Sequence, residues 1–127
     1  MKIFSQTLLL VTSLFFAGAT LAAPIPYTQT GFDELQKAGK SILVEVHASW
    51  CPTCRAQAPI VNELLKKKEY QAITVLRVDF DSQKDALKTF NVSKQSTLLV
   101  FKGGKEMGRS TGDTSPSSIE ALLQKAI

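Results

Sequence analysis

Cysteine and histidine are scarce in this chain, two of the first and one of the second in 127 residues. Both cysteines lie in Trp50-Cys51-Pro52-Thr53-Cys54, so any thiol chemistry happens there or nowhere. A four-ligand zinc site needs two ligands beyond the pair, and only His47 is at hand. Methionine is no richer: Met1 and Met107 stand far apart, so there is no methionine-rich segment for a soft metal. Charge of one sign is also weak. The formal net charge of +4 is modest, and the densest basic run, Lys66-Lys67-Lys68, spreads around a helix at about 100° per residue. Without interleaved aromatics or a recognisable motif, that run reads as a solvated face, and no nucleic-acid partner is expected. Internal repeats and low-complexity segments are absent, and the length has room for one domain.

The longest apolar run is too short to cross a bilayer. Leu8 to Ala17, interrupted by Thr12 and Ser13, falls below the roughly 20 residues a spanning helix needs. With Met1-Lys2 before it and small residues from Ala17 to Ala23 after it, the segment has the layout of a secretory signal peptide cleaved after Ala22. The expected organisation is therefore a signal peptide over 1–22 and one domain over 23–127, with a retained membrane anchor as the alternative. No cysteine stands near the cleavage site, which leaves a lipoprotein anchor unsupported. Export places the cysteine pair in an oxidising compartment, the periplasm or the exterior. A pair this closely spaced closes too short a loop to add much stability, so its role is chemical rather than structural.

Around the pair, the periodicity is readable. Pro24 and Pro26 make an extended lead-in, and Thr30 to Asp33 has the form of a capping box opening a short helix that Gly39 stops. Ser41 to His47 reads as a strand buried on both faces. A helix follows from Pro52 to about Glu69, with Ile60, Val61, Leu64 and Leu65 on its core face and a kink at Pro59. Ile73 to Phe80 is a second buried strand, and Asp81 or Ser82 caps a helix ending near Phe90. Thr97 to Lys102 and Glu106 to Ser110 form a hairpin about Gly103-Gly104. Ser115-Pro116 starts a last helix with a stripe of Ile119, Leu122, Leu123 and Ala126. A helix between parallel strands, then an antiparallel pair, gives an α/β fold with a mixed sheet flanked by helices.

Cys51 thus falls at a strand-to-helix junction, where unpaired N–H groups and the helix dipole favour a thiolate. Cys54 sits one turn on, on the same face, within reach for a disulfide. Pro52 suits the first helical position, where its missing N–H costs little. Cys51 is expected at the surface, with Trp50 beside it on the rim.

Trp-Cys-x-x-Cys after an apolar strand resembles the thioredoxin superfamily, and the Cys-Pro-Thr-Cys version is similar to periplasmic thioredoxin-like reductases of cytochrome c maturation. The likeness runs from about Phe32 to the C-terminus. It implies a thioredoxin-like fold and a thiol–disulfide oxidoreductase acting on protein disulfides or thiols. It needs no bound cofactor and no metal, with a possible membrane electron donor, and the chain is expected to be a monomer. Cys51 is then the attacking and Cys54 the resolving thiol. Glu45 stands six residues before Cys51, where thioredoxins place a buried aspartate, and would deprotonate Cys54; its alternative is an ion pair with Arg77. Pro59 keeps the spacing of a family proline. Ser96 replaces the family's cis-proline, so that the Gln95–Ser96 bond is expected to be trans. Trp50, Ser96 and Thr97 are expected along the substrate groove. Pro52, Thr53 and His47 are the positions expected to tune the redox pair. Pro52-Thr53 adds no charge to stabilise a thiolate, which favours the reducing direction. The competing reading is a binding module in which Cys51 and Cys54, assisted by His47, hold Cu(I) without turnover.

Overall fold

Apart from Glu45, the segment Ile42 to Val46 is uninterrupted aliphatic side chain, and it forms the middle strand of the sheet. The computed structural model describes residues 23–127; the expected signal peptide over 1–22 lies outside the described residues. Five strands, β1 (Ile25–Pro26), β2 (Ile42–His47), β3 (Thr74–Asp79), β4 (Thr97–Lys102) and β5 (Lys105–Thr111), lie in the order β1-β3-β2-β4-β5. The first three are parallel; β4 runs antiparallel to β2, and β5 antiparallel to β4. The helices are α1 (Gln29–Lys37), α2 (Pro52–Leu65), α3 (Lys84–Thr89) and α4 (Pro116–Gln124). The mixed sheet flanked by helices read from the sequence is the one that forms.

Because side chains alternate along a strand, the three inner strands β2, β3 and β4 feed two separate cores. Ile42, Val44 and Val46 of β2 pack with Leu76 and Val78 of β3 against Phe32 of α1 and Ala86 and Leu87 of α3. Leu43 and Val75 face the other way, against Val61 and Leu64 of α2 and Ile119, Leu122 and Leu123 of α4. Glu45 shares the parity of Leu43, and the parallel register sets it opposite Arg77.

Local boundaries differ from the sequence reading in four places. The residue capping α1 is Thr28, whose Oγ1 accepts from the Gly31 N–H at 3.0 Å, two positions before the expected box. The helix α2 ends at Leu65, because Lys66-Lys67-Lys68 has nothing to bury; a short 3₁₀ turn, Lys68–Tyr70, then returns Tyr70 to the core. Neither Asp81 nor Ser82 caps α3. The carboxylate of Asp79 accepts the N–H groups of both residues and the Ser82 hydroxyl, tying them into the turn after β3, so α3 starts later, after Gln83. The extended lead-in pairs with β3 as an edge strand, two residues long.

Candidate active site

The end of β2 delivers the chain to α2 through Ala48 and Trp50, and Cys51 becomes the helix cap. Its Sγ accepts the Cys54 N–H at 3.1 Å, in the place a serine or aspartate oxygen usually fills. Pro52 takes the first helical position, as expected. Capping folds the sulfur back over the first turn, and Cys51 is only 1% exposed. The surface position expected for it is therefore corrected: the thiol is covered, and Cys54 is buried beside it. Trp50 and Pro52 are the exposed members of the stretch; Trp50 is 52% accessible, and its indole Nε1 donates to Asp81 at 2.8 Å.

Ser96 closes the site from the opposite side. Its Oγ lies 3.2 Å from the Cys51 Sγ and 3.0 Å from the Cys54 Sγ. The backbone that holds it there is left-handed, at φ +59°, a conformation that costs a non-glycine residue roughly 1–2 kcal/mol. Three hydrogen bonds hold it in place. The Ser96 N–H donates to Val46 O at 2.8 Å, and its carbonyl accepts from the Gly112 N–H at 2.9 Å and from Gln57 Nε2 at 3.3 Å. Among the described residues every peptide bond is trans, Gln95–Ser96 included. Thr97 is buried, and its hydroxyl donates to Lys94 O and meets that of Thr111; it secures this loop rather than lining an open groove.

The electrostatics of Cys51 are a contest between burial and hydrogen bonding. Burial pushes the thiol up. The Cys54 thiol, the Ser96 hydroxyl and the backbone N–H groups of Cys54 and Thr53 outweigh it, and together they hold Cys51 below the ordinary thiol value. No cation takes part. Arg55, next to Cys54, is exposed and turned to the Trp50 carbonyl at 3.3 Å.

Beneath the sulfurs, Glu45 is 6% exposed, and its Oε2 accepts from Arg77 Nη2 at 3.0 Å and Nε at 3.2 Å. The ion pair weighed as its alternative is thus formed. Glu45 nonetheless shares a narrow cavity with Cys54, His47 and Gln57, about 10 Å³ in volume, close to the least that admits one water. His47 is half-buried at the end of β2, and burial, followed by the Arg77 charge, lowers its pKa, keeping the imidazole neutral at pH 7. Among the described residues no group of three or more His, Cys, Asp or Glu side chains is placed to hold a metal, and His47 is not gathered with the two thiols.

Two residues of this neighbourhood escaped the sequence reading. Gln57 is buried one turn beyond Cys54, and its Nε2 spans Ser96 O and Asp113 O. Extending the buried stripe of α2 back from Leu64 and Val61 would have reached it. Asp81, read as a helix cap, is instead the partner of Trp50.

Comparison with known proteins decides the family. The thioredoxin family model matches residues 24–125. The chain belongs to the thioredoxin family. It is similar to the thioredoxin of Chlamydia muridarum, 34% identical over 84 residues that cover 66% of this chain and 80% of that protein. The thioredoxin of Coprinus comatus is 29% identical over 96 residues, 76% of this chain and 90% of that one. Among solved structures, Trxlp from Edwardsiella tarda EIB202 superposes with a TM-score of 0.77 at 40% identity, covering 80% of this chain and 98% of that one. The protein is accordingly a thiol–disulfide oxidoreductase of thioredoxin-like fold with two close cysteines, and protein disulfides are the substrates that fit this family.

Proposed function

We propose that the protein is an exported reductant of protein disulfides in which Cys51 attacks, Cys54 resolves and Glu45 accepts the proton that Cys54 gives up. The observation that carries the direction is how the Cys51 thiolate is held. Hydrogen bonds alone lower its pKa, burial opposes them, and no cation contributes. Strong oxidants owe their potential to a heavily stabilised reduced form. A thiolate held by uncharged donors alone, against the cost of burial, gives its electrons up more readily.

The Cys51 thiolate attacks one sulfur of a substrate disulfide, forming a mixed disulfide and releasing the other sulfur as a thiolate. Cys54 then loses its proton, through one water in the narrow cavity, to Glu45. It attacks the Cys51 sulfur, so the cysteine pair becomes the disulfide and the second substrate sulfur departs reduced. Because Cys51 is covered, an incoming disulfide has to displace the atoms around Ser96 or enter past Trp50. The oxidised pair is recharged by a membrane electron donor, and the protein acts as a monomer. The cleavable segment over 1–22 supports a periplasmic or secreted setting.

The test is the equilibrium potential of the cysteine pair against glutathione, paired with insulin reduction. A value near the roughly −270 mV of thioredoxins is expected, and one near the roughly −120 mV of strong oxidants reverses the direction. Titration with Cu(I) in the same preparation addresses the binding-module reading. Stoichiometric metal uptake without insulin turnover would favour it.

A further inference from the structure

The Ser96 hydroxyl has no hydrogen-bond partner among the described residues other than the two sulfurs. It is 2% exposed, so water does not compete for it. One hydroxyl carries one proton and two lone pairs, and it rotates to suit its neighbours. At 3.2 and 3.0 Å it reaches both sulfurs without any movement of the backbone, which the bonds to Val46, Gly112 and Gln57 hold in a costly conformation. A proline, which the family resemblance leads one to expect here, offers no donor at all.

We propose that Ser96 Oγ is a switching donor that serves the two sulfurs in turn, bonding Cys51 in the free dithiol and Cys54 in the mixed disulfide. The proposal rests on the roles assigned above to Cys51 and Cys54. In the dithiol the negative charge is on Cys51, and the Ser96 O–H and the Cys54 S–H both point there. Once Cys51 is bonded to substrate sulfur, it carries no charge and is a poor acceptor. The hydroxyl then turns to Cys54, where charge appears as the proton leaves toward Glu45. The Cys51–Cys54 bond forms, and the bond from Cys51 to the substrate sulfur breaks. That sulfur leaves with the electron pair and takes a proton from solvent. The dithiol has lost two electrons and the substrate has gained two. Ser96 touches both reacting atoms and is thus a catalytic residue for both half-steps.

Ser96→Ala and Ser96→Gly form a matched pair of tests, since both delete the hydroxyl while glycine also relieves the φ of +59°. Stopped-flow mixing with dithiobis(nitrobenzoate) releases one coloured thiolate as Cys51 attacks and a second as Cys54 resolves, so a single trace reports both steps. Loss of a hydrogen bond to an anion should leave about tenfold less thiolate at neutral pH. The more basic sulfur is intrinsically about threefold more nucleophilic, given a Brønsted slope of roughly 0.4–0.5. Both variants should therefore be about threefold slower than the parent at neutral pH and about threefold faster well above the pKa, in both phases. Crossing pH profiles in both phases support the switch. A second phase that follows the parent overturns it, leaving Ser96 a donor to Cys51 alone. So does a slowing that is uniform across pH, because this is the mark of loosened packing. Cys51→Ser guards the underlying reading. If it releases the first thiolate at the parental rate, the nucleophile assignment is wrong whatever Ser96 does.

Discussion

The two faces of the sheet are built from the same strands and solve different problems. On the α1/α3 face the core is apolar and aromatic, with the rings of Tyr27, Phe32, Phe90 and Phe101 packed at centroid distances of 5.0–6.0 Å, several edge to face. On the α2 face, aliphatic packing near Leu123 and Val61 gives way toward the sulfurs to Glu45, Arg77 and Gln57. One strand thus supports a dry core on one side and a reactive, hydrogen-bonded pocket on the other. Alternation along β2 makes the division: shifting its register by one residue would turn Glu45 into the aromatic core. The difference teaches that stability and reactivity in this molecule are separable, face by face.

That separation can be broken by mutation, and the largest effect expected is on chemistry. Cys51→Ser should abolish insulin reduction while moving the denaturant midpoint little, because the serine hydroxyl can still cap α2. Loss of cooperative unfolding in that variant would show that the site also carries the fold. Phe90→Ala, on the opposite face, should cost about 3–5 kcal/mol in chemical denaturation. The Cys51 thiolate titration of the folded protein should stay where it was, and a displaced titration would mean that the faces communicate. A smaller effect is expected from Glu45→Gln, which keeps the shape and removes the proposed proton acceptor. Resolution of the mixed disulfide should slow about a hundredfold, the low side of what general-base catalysis supplies. An unchanged rate between pH 6 and pH 9 would leave Glu45 only its ion pair with Arg77. Least of all, Trp50→Phe removes the exposed hydrogen bond to Asp81 and should cost about 0.5–1 kcal/mol by thermal or denaturant melting.

Much of this architecture was legible in the sequence because it depends on short-range pattern. The strands, the hairpin at Gly103-Gly104 and the Ser115 cap follow from periodicity and turn chemistry, which act within a few residues. What escaped depends on contacts distant in the chain. Asp79 draws Asp81 and Ser82 into its turn, and that turn brings Asp81 to Trp50, 31 positions away. Cys51 is covered because Ser96, 45 positions on, folds over it. The sequence marked Ser96 as a departure from a proline, but its left-handed backbone becomes apparent only when the bonds to Val46 and Gly112 are in view. For Glu45, both readings had a physical basis, and the register with Arg77 shows that the ion pair forms beside the cavity shared with Cys54.

At the centre of the account stands a buried thiol made acidic by uncharged donors. Its direct test is an ultraviolet thiolate titration of the reduced protein, with Cys51→Ser as the blank and an unstructured cysteine peptide as the reference. The hydrogen bonds to Cys51 favour its charged form, so thiolate should appear at lower pH than in the peptide and vanish as pH falls through the shifted midpoint. The midpoint should also depend little on salt, since no ion pair sets it. A midpoint at or above that of the peptide would mean that burial wins over the hydrogen bonds, contradicting the account.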